Sequence, residues 1–252
     1  MNNNDTKISI IIATYNSDKT IKKCIDSCLL QDYPNKEILI IDGNSTDNTS
    51  KIVHDYKNSN LSFLSEKDAG IYDAWNKAIK ICNGEWVCFI GSDDFWIFES
   101  AISKLVEKIN DDKINFISAK VRVYNAKNES FFSMGNKWDY KKLSSNINIA
   151  HPGSLHKKSL INKFGLFNSK FKIAGDHDFL IRSGEEIKSE FLNLEIIQML
   201  DSGISNSKPI LAFYESASAI IKNKNFGIKK GVNFFFKSII KYYIRKFLWK
   251  KK

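Results

Sequence analysis

Four short apolar runs rich in β-branched side chains mark the start of the chain: Ile8–Ala13, Glu37–Ile41, Leu61–Leu64 and Trp86–Ile90. Runs with so little polar alternation are the signature of strands buried on both faces. Segments with apolar residues at helical spacing separate them, over Ile21–Leu30, Thr46–Tyr56 and Ile71–Cys82. Ser17 or Asp18 caps the first of these helices, Pro34-Asn35 breaks it, and Asn83-Gly84 ends the third. This alternation predicts an α/β fold: a Rossmann-like, mainly parallel sheet flanked by helices, with right-handed crossovers. Ligands of such sheets bind beyond the carboxyl ends of the strands. The groups that follow the four runs are Thr14-Tyr15-Asn16, Asp42-Gly43-Asn44-Ser45, Glu66-Lys67-Asp68 and Ser92-Asp93-Asp94. Three of the four bring carboxylates to one shared edge.

Beyond Phe95 the pattern loosens. A helix around Ser100–Ile109 and strands around Asn115–Tyr124 and Ser130–Met134 read as extensions of the sheet. A loop-rich stretch holding Trp138 and His151-Pro152-Gly153 follows, and Asp176–Arg182 begins a short helix. With no internal repeat and no linker, residues 1–221 read as one domain and 222–252 as a tail.

Charge supports that division. The net charge of +10 would suit a nucleic-acid binder if it were spread evenly. However, 11 Lys or Arg fall between Lys222 and Lys252, no acid follows Glu215, and the remaining 27 basic residues face 28 acidic ones. The body is thus close to neutral and no nucleic acid is expected as a partner. Within the tail, Phe235, Phe236, Ile239, Ile240, Tyr243, Ile244, Phe247 and Leu248 recur at i, i+3, i+4, i+7 beside Lys237, Lys241, Arg245 and Lys250–Lys252. An aromatic face with a cationic rim reads as an interfacial helix on an anionic membrane surface. The bland reading is a C-terminal helix docked on the domain with its lysines solvated. The opening MNNNDTK lacks the apolar run of a signal peptide, and no stretch reaches about 18 uninterrupted apolar residues. The sequence is therefore read as cytoplasmic and peripheral on the inner face of the cell membrane. Cys24, Cys28, Cys82 and Cys88 show no zinc spacing and read as buried free thiols.

Two adjacent carboxylates at a strand end, Asp93 and Asp94, repel each other unless something positive binds there. A hard divalent cation that keeps positions open for phosphate oxygens would meet that need. Read on spacing alone, the pair would equally cap the following helix.

Taken in order, Ile8–Asn16, Ile38–Thr49 (ILIIDGNSTDNT), Ser65–Ala78 (SEKDAGIYDAWNKA) and Gly84–Asp94 (GEWVCFIGSDD) resemble the nucleotide-sugar half of glycosyltransferase family 2. The resemblance runs from about residue 7 to 220. It implies the GT-A fold and an inverting transfer from a nucleotide-diphosphate sugar to a glycan or lipid-linked acceptor, in a sub-type that builds bacterial cell-surface polysaccharides. It places Thr14, Tyr15, Asn16 and Asp42 at the nucleoside, with Asp68, Asn76, Lys77 and Ser92 lining the same cleft. Asp93 falls on the last position of the family's Asp-x-Asp motif, with Asp94 beside it, for Mn²⁺ or Mg²⁺. Asp176 matches the Asp of the Glu-Asp motif and is the candidate base, with Asp178 the alternative; His151 matches a histidine found ahead of that motif. Four departures stand out. Gly91 replaces the first Asp of the metal motif, Gly43 the second Asp of a common Asp-Asp-Gly-Ser string and Gly175 the Glu before the base, and Trp75 replaces an Arg.

Two rivals from other classes make different demands. A nucleic-acid module would bind oligonucleotides through the tail with steep salt dependence and have no use for strand-end carboxylates. A nucleotidyltransferase would carry a Gly-rich basic loop after the first strand, which Ala13–Lys19 lacks. An inactive relative serving as a scaffold remains open because of Gly91 and Trp75.

Overall fold

The computed structural model of the chain describes residues 5–125, 129–146, 149–201 and 203–249. Met1–Asn4 and the closing Lys250–Lys252 of the tail lie outside the described residues. The elements run β1 (Ile8–Thr14), α1 (Ile21–Leu29), β2 (Lys36–Asp42), α2 (Thr49–His54), β3 (Leu61–Ser65), α3 (Ile71–Ile81) and β4 (Trp86–Gly91). Then come β5 (Phe95–Trp96), α4 (Ala101–Val106), β6 (Phe116–Asn125), β7 (Ser130–Met134), β8 (Ala150–Lys157), α5 (Lys158–Phe164) and α6 (Gly175–Ser183). The chain closes with β9 (Ser189–Leu200), α7 (Ile204–Ser207), α8 (Pro209–Lys222) and α9 (Gly227–Trp249).

One sheet takes the order β3-β2-β1-β4-β8-β6-β9-β5, with β7 paired to β6. It is parallel from β3 to β4, as the apolar runs demand, and mixed beyond. The mixing comes from β8, which lies antiparallel between β4 and β6, and from β5 and β7, antiparallel to β9 and β6. His151-Pro152-Gly153, which the sequence pattern puts in a loop-rich stretch, are strand residues of β8. The register against β6 shifts between Ile117 and Ala119, and such a bulge tolerates a proline that donates nothing and a glycine at φ +78°. β9 also escaped the sequence reading, because a second bulge breaks its alternation against β6.

Each face of the sheet carries its own core. Ile8, Ile10, Ile12, Ile38 and Ile40 pack with α1 and α4; Ile11, Leu39, Ile41 and Phe89 pack with α3, α5 and α6. The four cysteines are buried free thiols. The tail is continuous with the body rather than separate from it. α9 lies along α8, and Phe226 and Phe234 are buried in the second core. Phe235 and Ile239 turn inward, whereas Phe236, Ile240, Tyr243, Ile244, Phe247 and Leu248 are exposed. No helix among the described residues is long and apolar enough to cross a membrane.

Candidate active site

The ends of β1, β2 and β3 are zipped into one rim. Thr14 sits opposite Asp42, and Asp42 opposite Ser65, in the parallel register. Past the strand ends, Asn16 and Asn44 take left-handed backbone at φ 49° and 66°, which asparagine tolerates better than most residues. The Asn16 amide N–H donates to Ser45 Oγ at 2.8 Å, and Asn16 Oδ1 accepts from the Thr46 N–H at 2.9 Å. Thr14 is buried with its hydroxyl unpartnered, whereas Tyr15 stands 61% exposed at the mouth. Asp42 is fully buried. Its carboxylate accepts from the Ser45 N–H at 3.0 Å, from Ser45 Oγ and from Ser65 Oγ at 2.6 Å. Much of its capacity therefore goes to folding the β2 loop.

Across β1, the loop after β4 joins the same rim, and Ser92 Oγ lies 2.8 Å from Ser17 Oγ. β2, which ends at Asp42, and β4, which precedes Asp93, flank β1, so the two strand ends lie roughly 10 Å apart. Asp94 is buried and accepts the Gly91 N–H at 3.0 Å. Burial, and then the charge of exposed Asp93, push the Asp94 carboxyl up to about 8. A β-carbon on Gly91 would meet Asp93 Oδ1 at 2.9 Å and Asp94 Oδ2 at 3.0 Å, so both carboxylates crowd over the glycine. Among the described residues no cluster of three His, Cys, Asp or Glu side chains could hold a metal. Two converging carboxylates suit Mg²⁺ or Mn²⁺ when phosphate and water supply the other oxygens. The donor set fits.

Asp68 lies against Gly43, where a β-carbon would approach its Oδ2 to 2.8 Å. Lys77 reaches the same loop, donating to the Lys67 carbonyl at 2.8 Å and pairing with Glu66 at 2.9 Å. Asn76 is placed differently. It is buried, and its amide exchanges hydrogen bonds with the Phe167 backbone at 2.8 and 2.9 Å. That pair pins the loop before α6. His151 also lies beneath the surface, 5% exposed and stacked on Trp75 at 5.2 Å and Phe89 at 5.7 Å. Burial drives its imidazole down to about 3, so it is neutral. Trp75, in place of an arginine, is the apolar slab that covers it. Trp138 packs edge-on against Phe116 as part of the core.

Asp176 opens α6 and stays partly exposed. It meets the rim through Tyr72 on the first turn of α3. The Tyr72 hydroxyl donates to the Ile173 carbonyl at 2.6 Å and lies 3.1 Å from Asp176 Oδ1. Burial raises the Asp176 carboxyl, against the opposing pull of the His177 N–H, His177 and Tyr72, which makes it a stronger proton acceptor. Asp178, the alternative base, is buried in an ion pair with Arg182 at 2.8 Å. The arginine donates in turn to the Phe164 and Leu166 carbonyls. Asp178 is thereby committed to holding the helix.

One contributor was missed from the sequence. Glu215 of α8 is buried and accepts the N–H groups of Lys172, Ile173 and Ala174 at 2.8–2.9 Å. It fixes the loop that delivers Asp176 and the carbonyl that holds Tyr72. The available signal was its isolation: it is the last acid of the chain, set in an apolar helical run.

Comparisons with known proteins bear on the family and the fold. A family model described as Glycosyl transferase family 2 matches residues 9–171. A PGL/p-HBAD biosynthesis glycosyltransferase of Mycobacterium bovis is 25% identical over 205 residues, 79% of each chain. An Escherichia coli UDP-Glc:alpha-D-GlcNAc-diphosphoundecaprenol beta-1,3-glucosyltransferase is 33% identical over 167 residues, 64% of each chain. Among solved structures, Staphylococcus aureus TarS in complex with UDP-GlcNAc superposes at TM-score 0.70 with 21% identity, covering 92% of this chain and 71% of that one. A Pyrobaculum calidifontis mannosyltransferase in complex with GDP-Man and Mn²⁺ superposes at TM-score 0.68 with 18% identity, covering 86% and 64%.

Proposed function

Because the chain belongs to glycosyltransferase family 2 and carries the GT-A fold of a sugar-transferring enzyme, we propose that it moves a sugar from a nucleotide-diphosphate donor to a hydroxyl of a lipid-linked glycan, with inversion. The observation that carries this reading is the rim itself, where Asp42 ends β2, Asp68 lies against Gly43, Asp93 and Asp94 crowd over Gly91, and Tyr72, at the start of α3, bonds Asp176. Asp176 takes the proton of the acceptor hydroxyl as that oxygen attacks the anomeric carbon and the diphosphate departs on the opposite side. The nucleoside lies along Thr14, Tyr15 and Asn16, with exposed Tyr15 available to its base. Asp93 and Asp94 would hold Mn²⁺ or Mg²⁺, which when bound neutralises charge on the diphosphate. The complexes of the solved relatives, with UDP-GlcNAc and with GDP-Man and Mn²⁺, support that donor class.

Two further features favour a carrier-linked acceptor at the inner membrane face in cell-surface polysaccharide synthesis. The E. coli relative acts, by its name, on a diphosphoundecaprenol-linked sugar. The outward side chains of α9, Phe236, Ile240, Tyr243, Ile244, Phe247 and Leu248, also run beside Lys237, Lys241, Arg245 and Lys246. An apolar stripe edged with cations suits an anionic lipid surface.

Thermal scanning with a panel of nucleotide sugars, with and without Mn²⁺, tests the donor. A true donor raises the melting temperature progressively with its concentration. Asp176→Asn is expected to lower transfer by at least about 100-fold while keeping that shift. Undiminished turnover in the variant would remove Asp176 as the base.

A further inference from the structure

A hollow of about 610 Å³ opens among Lys120, Asn136, Lys137, Lys142, Phe191 and Asn193, none of which the reaction described above uses. Three local features build it. On β6, Ile117, Ala119, Val121 and Val123 bury into the first core, so strand alternation turns Lys120 to the other face, the one α6 covers. β9 bulges at that level. Its pairing passes from Leu192, opposite Ala119, to Glu195, opposite Lys120, which leaves Asn193 and Leu194 as the extra residues. Bulges of this kind re-aim side chains beside sites. Gly135, at φ +115°, is pressed against β6, where a β-carbon would fall 2.5 Å from the Ala119 carbonyl oxygen and 3.0 Å from Lys120 Cα. Only glycine fits there, and it brings Asn136 and Lys137 alongside Lys120.

The charge of the hollow is one-sided, since no carboxylate lines it. Asp139 pairs with Lys142 at 3.1 Å, and Glu195 is taken by Arg122 at 2.8 Å. Among the described residues neither Lys120 nor Lys137 has an acidic partner. Two uncompensated ammonium groups, a third half-compensated one, two amides and an aromatic wall make a receptor for a phosphoanion that carries further bulk. Its position tells which one. The turn that bears Lys142 continues to Leu143, whose carbonyl lies 3.1 Å from His177 Nε2, the neighbour of Asp176. From the same turn Tyr140 packs at a tilt against Phe226, 4.8 Å between ring centres, and bonds Asn223 at 3.2 Å, both in the link between α8 and α9. The hollow's wall is therefore tied to the candidate base on one side and to the amphipathic hairpin on the other.

We propose that this hollow seats the phosphate of the acceptor, the phosphodiester or diphosphate that joins the acceptor glycan to its carrier; the proposal rests on the transferase reading above. Inorganic pyrophosphate is the first probe, titrated calorimetrically in EDTA, where the acidic donor rim has no cation to attract it. The wild type should bind, Lys120→Gln/Lys137→Gln should bind at least about tenfold more weakly, and Lys51→Gln, on exposed α2, should match the wild type. No binding by the wild type, or equal binding by the double variant, overturns the proposal. Phosphatidylglycerol vesicles separate the two sources of phosphate. The double variant should sediment with them as the wild type does; loss of sedimentation would assign the hollow to lipid headgroups and overturn it. Nucleotide-sugar stabilisation is scored alongside. If it persists in the double variant while pyrophosphate binding falls, the proposal holds. If it is absent from the wild type for every donor, the transferase reading fails and takes the proposal with it.

Discussion

At Gly91 and Gly43, where the resemblance leads one to look for aspartates, carboxylates from further along the chain occupy the space. Asp93 and Asp94 fold over the first glycine and Asp68 leans on the second. Gly175, in the place of a glutamate, is covered by the Tyr72 ring, 2.7 Å from where a β-carbon would be. At Gly91 and Gly43 other carboxylates thus stand over the glycine, whereas at Gly175 an aromatic ring takes the space. Asp94 carries the strain of that crowding. With its carboxyl pushed up to about 8, the folded chain keeps a proton that the unfolded chain releases in the ordinary carboxylate range. Stability therefore falls as pH rises from that range to about 8 and levels off above it. Asp94→Asn should raise the stability of the metal-free protein by about 1–2 kcal/mol at pH 8, with less gain at pH 4, and abolish the Mn²⁺-dependent part of donor stabilisation. A variant less stable than wild type in EDTA would contradict this.

Single elements show where sequence reading succeeds. β1, β2 and β4 were legible because strands buried on both faces admit few polar residues. β8 was hidden by Pro152-Gly153 and β9 by its bulge, both local breaks of the very rules used to find strands. Asp42, Asp68 and Asp93 are legible as candidates because they end or follow strands, and Asp176 because it matches a motif of the resembling family. The burial of Asn76 and His151 was not, because it depends on a loop and on β8 brought from elsewhere in the chain. A structural carboxylate, Glu37 of β2, went unremarked in the sequence. Burial works to raise it, but bonds from Ser9 at 2.6 Å, the Asn83 backbone and side chain, and Lys7 outweigh burial and hold it at about 2. It ties β1 and β2 to the start of β4. A depressed carboxylate stabilises the fold above its ordinary pKa and loses that contribution as pH falls through the folded value. Glu37→Gln should cost about 1–3 kcal/mol in urea unfolding at pH 7, the deficit narrowing between pH 4.5 and 2. An undiminished deficit at pH 2 would mean that charge plays no part.

For the molecule as a whole, the hairpin of α8 and α9 is the part proposed above to face a membrane. The tail's periodicity was legible, but the division of its apolar residues into a docked side and an open side was not, since α8 does the dividing. Deleting residues from 225 onward would also strip Phe226 and Phe234 from the core, so loss of vesicle binding would be confounded with loss of fold. Phe236→Ser/Ile240→Ser/Phe247→Ser changes only side chains more than half exposed. It should release the protein from phosphatidylglycerol vesicles with less than about 1 kcal/mol change in stability. Full retention on the vesicles would refute the lipid-facing assignment.

The antiparallel seat of β8 also bears on how the chain is made. β4 gains its outer neighbour only when Ala150–Lys157 arrives, long after the parallel half has been synthesised. Until then a nascent chain would present an apolar strand with unsatisfied amides on its open side. Such a pause invites pairing with other chains and slows folding through long-range closure. Fragments ending before Ala150 should therefore precipitate when expressed alone, even though they contain the whole donor-side rim.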